Sequence, residues 1–132
     1  MVFLGIDTEP LADGLPIPGY DPLGWLESAL RQSAGQPVIV FHHTPSVDDF
    51  YDNRVHATWK PEARKKWDTL INAYDVRAVL TGHFHRDELH WDGKVPVYVA
   101  APVANFWGRE GSYRIYEYRD GRLGYRTMYL DK

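Results

Sequence analysis

Apolar residues along the chain fall into two kinds of run. Val2 to Ile6, Val38-Ile39-Val40-Phe41 and Val76 to Leu80 are short blocks with little polar alternation, the pattern of strands covered on both faces in an α/β sheet. Between them the spacing turns helical. Leu23, Leu26 and Leu30 recur on one face, Asp21 is placed to cap them with Pro22 at the first helical position, and Gly35 is placed to end them. Pro61 opens a second helical pattern in which Ala63, Trp67, Leu70, Ile71 and Tyr74 share a face. The first eighty residues thus predict β-α-β-α-β. EPLADGLPIPGYD predicts a surface connection. SVDDFYDNRVHATWK has no clear period and is long for a plain connector, the kind of loop that is often functional. Later the pattern changes again: VPVYVA, SYRIYEY and RLGYRTMYL are β-branched and aromatic, with Asp92-Gly93 and Asp120-Gly121 as hairpin turns. That part predicts antiparallel pairing. With no repeat or linker, residues 1–132 are expected to form one domain.

Two of the buried blocks end in histidines. VIVF runs into His42-His43-Thr44-Pro45, and AVLT runs into Gly82-His83-Phe84-His85. Ligands of open α/β sheets gather at the carboxyl ends of the strands. A His-x-His pair puts two imidazoles on one side of an extended backbone, within reach of one metal or two adjacent ones, and Gly82 allows the backbone to approach closely. If the two strands are parallel neighbours, a histidine of the first pair faces the second pair across about 5 Å of sheet spacing. The plain alternative is two strand-end pairs satisfied by backbone hydrogen bonds. Composition narrows the chemistry: with no cysteine, a metal here must use His, Asp, Glu or Asn. The 15 basic and 18 acidic residues give a net charge of -3, so there is no footprint for nucleic acid. No apolar run is long enough for a membrane span, and no targeting segment is evident, so a cytoplasmic location is expected.

The order strand-His-His-Thr-Pro, helix, strand-Gly-His-Phe-His, then a hairpin through VPVYVAAPVA resembles the C-terminal half of the calcineurin-like metallophosphoesterases. The resemblance implies a mixed α/β fold, half of a β-sandwich flanked by helices, with antiparallel hairpins at the C-terminal end. It also implies divalent metal ions (Mn, Fe or Zn), a phosphoester substrate and a metal-activated hydroxide. Carried over by position, His43, His83 and His85 would be metal ligands, and His42 a second-shell or substrate-side group. The family's D-x-H, G-D and G-N-H elements do not occur in the chain. Their places would lie before Val2, so the expectation is an incomplete enzyme, weakly active or inactive alone, whose uncovered surface favours a homodimer.

Other residues carry weaker expectations. Asp7 either adds a carboxylate to the site or caps the loop that follows. Asn53, Arg54 and His56 lie where family members often contact substrate, with solvated loop polarity as the plain alternative. His90 reads as a cross-strand partner, and Asn105 with Phe106 and Trp107 either lines a pocket rim or closes the sheet. The arginines at 109, 114, 119, 122 and 126, interspersed with acids, read as a solvated hairpin face. Two rivals stay open: a mononuclear three-histidine zinc hydrolase, and a non-catalytic, self-associating module.

Overall fold

The computed structural model describes residues 1–51 and 59–130. Its elements follow the apolar pattern closely. Strand β1 (Val2–Gly5) leads into a short helix α1 (Glu9–Asp13), then helix α2 (Pro22–Gln32), strand β2 (Val38–Phe41), helix α3 (Pro61–Ala73) and strand β3 (Val76–Thr81). Strands β4 (Glu88–Asp92), β5 (Val95–Val99), β6 (Ser112–Arg119) and β7 (Arg122–Tyr129) complete the chain. Asp21 caps α2 by accepting from the Gly24 amide at 3.0 Å, with Pro22 first in the helix, as the sequence predicts. The connection after β1 is not all irregular, because α1 sits within it. At the other end of α2 the cap is Ser33, and Gly35 takes a left-handed φ of 83° two residues further on.

The main sheet has the order β1-β2-β3-β5-β4. β1, β2, β3 and β5 are parallel, and only the edge strand β4 runs against its neighbour β5. The expected antiparallel C-terminal part is therefore split: β4 and β5 form a hairpin, but β5 inserts beside β3 and continues the parallel sheet. The second hairpin, β6-β7, is a separate two-stranded sheet. Its turn is Asp120-Gly121 with φ of 50° and 77°, positive at both positions as a tight two-residue hairpin requires.

One face of the sheet carries α2 and α3. Leu23, Leu26, Leu30, Trp67 and Ile71 pack there against Val38, Val40, Val79 and Val97 in a single buried cluster. The β6-β7 hairpin is joined to β5 by Tyr98, which meets the Tyr116 and Tyr125 rings at centroid distances of 6.1 and 5.6 Å. Farther along, Phe3 and Phe41 are exposed. No helix among the described residues is long and apolar enough to cross a membrane.

A carboxyl pair joins α3 to the end of β4. Asp92 is buried beside Asp68, accepts from the Ser46 hydroxyl at 3.3 Å, and feels the Arg64 charge. Burial, then the hydrogen bond and charge of Asp68, push its carboxyl up to about 7. A raised acid pKa means that the folded state holds a proton the unfolded chain releases, so stability falls as pH rises from about 4 to 7. Asp92→Asn removes the repulsion while keeping a donor toward Asp68. The variant is expected to match the parent near pH 4 and to exceed it by about 1–2 kcal/mol at pH 8. Urea unfolding at the two pH values measures this, and an unchanged difference would rule out a shared proton.

Candidate functional site

β2 and β3 end side by side, and the backbone pairing runs past both strands. The His42 amide donates to the Leu80 carbonyl at 3.1 Å, and the Gly82 amide to the His43 carbonyl at 3.1 Å. This extension places the two histidine elements next to each other. The rings of His43 and His83 meet nearly edge to face, with centroids 5.3 Å apart. Two imidazoles bound to one ion at about 2.0–2.1 Å per nitrogen have ring centres roughly 5–6 Å apart, so this pair has the spacing of ligands to a shared or adjacent ion. A Cβ at Gly82 would lie 3.5 Å from His43 Nδ1, an ordinary contact. The glycine is therefore not required for the approach, contrary to the expectation from sequence.

Backbone strain marks the second element. His83 and His85 have φ of 69° and 54°, in the left-handed region that side chains other than glycine rarely enter. At His83 the Phe84 amide reaches back to the Gly82 carbonyl at 2.8 Å, closing a three-residue turn around a positive φ, a rare and strained form. Such conformations persist where the surroundings hold them for function.

His42 faces the core instead. Its Nδ1 lies 3.0 Å from the Thr44 carbonyl, which also accepts from the Trp59 indole at 2.7 Å. A carbonyl only accepts, so Nδ1 carries the proton. The ring packs against Trp59 and Trp67 at 5.3 and 5.0 Å. Burial pushes its pKa down to about 3, and the charge-free form is the stable one. His42 is a packed, neutral imidazole directly before His43.

The His85 ring lies 4.0 Å from Phe106 and 5.8 Å from Trp107, and among the described residues no three His, Asp or Glu side chains form a metal cluster. The structure thus brings His43 and His83 together and packs His85 against the rings of the loop after β5. The Asp7 carboxylate accepts from the Glu9 amide at 3.1 Å, the capping role. Asn53, Arg54 and His56 lie outside the described residues.

The three residues that begin at His85 tie the site to three separate segments. Arg86 donates to Asp49 at 3.1 Å and to Glu88 at 2.9 Å, and its guanidinium lies 4.5 Å from the Tyr51 ring centre. Glu88 in turn accepts from His90 at 2.7 Å along the same strand, and the His90 ring meets Phe50 and Phe84 at 4.9 and 6.3 Å. Asp87 accepts from the Ala101 amide at 2.9 Å and pairs with Arg114 at 2.8 Å. Arg114 departs from the expected solvated face: its side chain is 2% exposed and lies over the Tyr125 ring. The Asp49-Arg86-Glu88 cluster was not singled out from the sequence. Its only sequence signal is an arginine directly after the second histidine of the pair.

No family model matches the chain, and no curated protein matches it. Among solved structures, it is similar to the crystal structure of a dimetal phosphatase from Danio rerio, with a TM-score of 0.54 and 18% identity over 83% of this chain. The match spans 38% of that phosphatase. At this identity the likeness establishes a fold shared with part of a dimetal phosphatase.

Proposed function

We propose that the chain carries the histidine side of a metal-dependent phosphoesterase site. The observation that carries this reading is the His43-His83 pair at the carboxyl ends of two parallel strands, with His83 held in a strained turn. The likeness to part of a dimetal phosphatase supports it. A divalent ion between these imidazoles would polarise a phosphoryl oxygen and acidify a bound water. His43 and His83 suit two positions of one ion, with His85 as the third donor of the motif. A two-metal site also needs carboxylates to offset the charge, and the described residues bring none to this pair. The full phosphoesterase assignment therefore goes with a reading of this chain as one part of the site.

Calorimetric titration with Mn²⁺ and Zn²⁺ tests the reading. Weak binding is expected, falling as pH drops from 8 to 5 because protons compete for imidazole nitrogens. His43→Ala and His83→Ala should each lower affinity at least about tenfold, the scale of losing one ligand contact. Binding that neither substitution changes would sink the proposal.

A further inference from the structure

At the other end of the strands from His43 and His83, the tip of the β6-β7 hairpin and the main sheet enclose a cleft of about 580 Å³, within the roughly 300–1,000 Å³ of small-molecule sites. Arg77 on its wall precedes His83 by six residues, roughly 20 Å of extended chain. One wall is aromatic. Trp91 on the edge strand β4 stands directly opposite Pro96, and Tyr98 follows on the same face of β5. Trp91 is 63% exposed and meets no other ring among the described residues. The other wall is cationic, with Arg77, Lys94 and Arg122 against one acid, Asp75. Arg77 takes both oxygens of Asp75, at 2.6 and 3.0 Å. Lys94 and Arg122 form no ion pair among the described residues. Two uncompensated cations in one cleft run against the net charge of -3 on the chain. Both are carried on fixed backbone. Asn72 accepts from the Lys94 amide at 3.0 Å and donates to the Asp92 carbonyl at 3.2 Å, and a Cβ at Gly93 would collide with the Asn72 side chain. Arg122 directly follows the tight Asp120-Gly121 turn.

We propose that this cleft binds a small aromatic anion, a flat ring joined to a phosphate or carboxylate group, with the ring stacked on Trp91 and the anionic group held by Lys94 and Arg122. A flat ring covers an exposed indole face without needing enclosure. The two cations bind an anion without giving up an existing ion pair, so its charge is a net gain. A neutral ring would leave those charges unused, and an anion without a ring would leave the indole in water. The fixed backbone of Lys94 and Arg122 lowers the cost of ordering on binding. A nucleic acid strand needs a longer basic track, so the occupant is a single small molecule. The cleft shares no residue with the histidine pair, and the inference stands apart from the phosphoesterase reading.

Calorimetric titration with AMP, 2-naphthoate, adenosine and ribose 5-phosphate, in EDTA so that no metal occupies the histidines, tests this, and saturation transfer to the ring protons reads the stacked group. At least one of the two aromatic anions is expected to bind about tenfold or more tighter than both adenosine and ribose 5-phosphate, the scale of one stacked base. The tighter of AMP and 2-naphthoate assigns the anionic group to phosphate or to carboxylate. Trp91→Ala should lower the affinity for that ligand about tenfold, and Trp91→Phe, which keeps a flat ring, should lower it less. Lys94→Gln combined with Arg122→Gln should also lower it about tenfold, and added salt should weaken binding to the parent. The three side chains are exposed, so these variants should unfold close to the midpoint of the parent. His83→Ala should leave the affinity unchanged. No binding of either aromatic anion, adenosine or ribose 5-phosphate bound as tightly as the better of them, or an affinity that survives Trp91→Ala or the double substitution overturns the proposal. Equal losses in Trp91→Ala and Trp91→Phe, or a loss in His83→Ala, overturn it as well, the last by moving the ligand to the histidine site.

Discussion

Trp67→Ala is expected to lower the unfolding free energy by about 3–5 kcal/mol, the range for removing a large aromatic ring from a closed core. Trp67 is fully buried on α3 and stacks edge-on to Trp59 at 4.9 Å, with His42 against both rings. The indole therefore supports the core and the residue next to His43 at once. Its Nε1 has no hydrogen-bond partner among the described residues, so a phenyl ring gives up volume but no bond. Trp67→Phe should consequently cost about 1–2 kcal/mol, less than half as much. Urea unfolding with unchanged m-values reads both. An alanine variant that lost under about 1 kcal/mol would mean that the core collapses around the vacancy.

The parts of the fold legible in the sequence were those set by local pattern. Val38-Ile39-Val40 could be read as covered on both faces because no polar residue interrupts it, and all three are buried. Asp21-Pro22 and Asp120-Gly121 announced a helix start and a turn through backbone chemistry confined to two residues. Strand order was less accessible. VPVYV has the same composition whether it continues a parallel sheet or closes a hairpin, and β5 does both. The same limit applied to the site. Strand ends and His-x-His spacing brought His43 and His83 together on paper. The destination of His85 depends on Phe106, which lies 21 positions further on and reaches it through the loop after β5. Arg114 shows the same thing with charge. Its acidic neighbours in sequence suggested a solvated hairpin face, but Asp87, from a distant segment, holds its side chain in a buried position.

Arg86→Met should cost about 3–5 kcal/mol, the range for breaking a buried ion pair by removing one partner. The Asp49 and Glu88 side chains it bridges are 0% and 1% exposed, so the loss takes away the guanidinium shared by two desolvated carboxylates. Lysine is a poor replacement, because one ammonium cannot reproduce a fork that donates from Nε to one acid and from Nη2 to the other. The triple variant Arg86→Met, Asp49→Asn, Glu88→Gln should recover much of the loss, since it removes the buried charges together with their partner. The cluster also ties the segment after His43 to the turn that carries His83 and His85. The single variant should therefore weaken Mn²⁺ binding about tenfold or more, the effect of losing support behind ligands, even where the protein remains folded. Unfolding and metal titrations decide the matter. A triple variant no more stable than Arg86→Met, or a Lys variant as stable as the parent, would show that Arg86 acts through packing on Tyr51 and not as the counter-ion of Asp49 and Glu88.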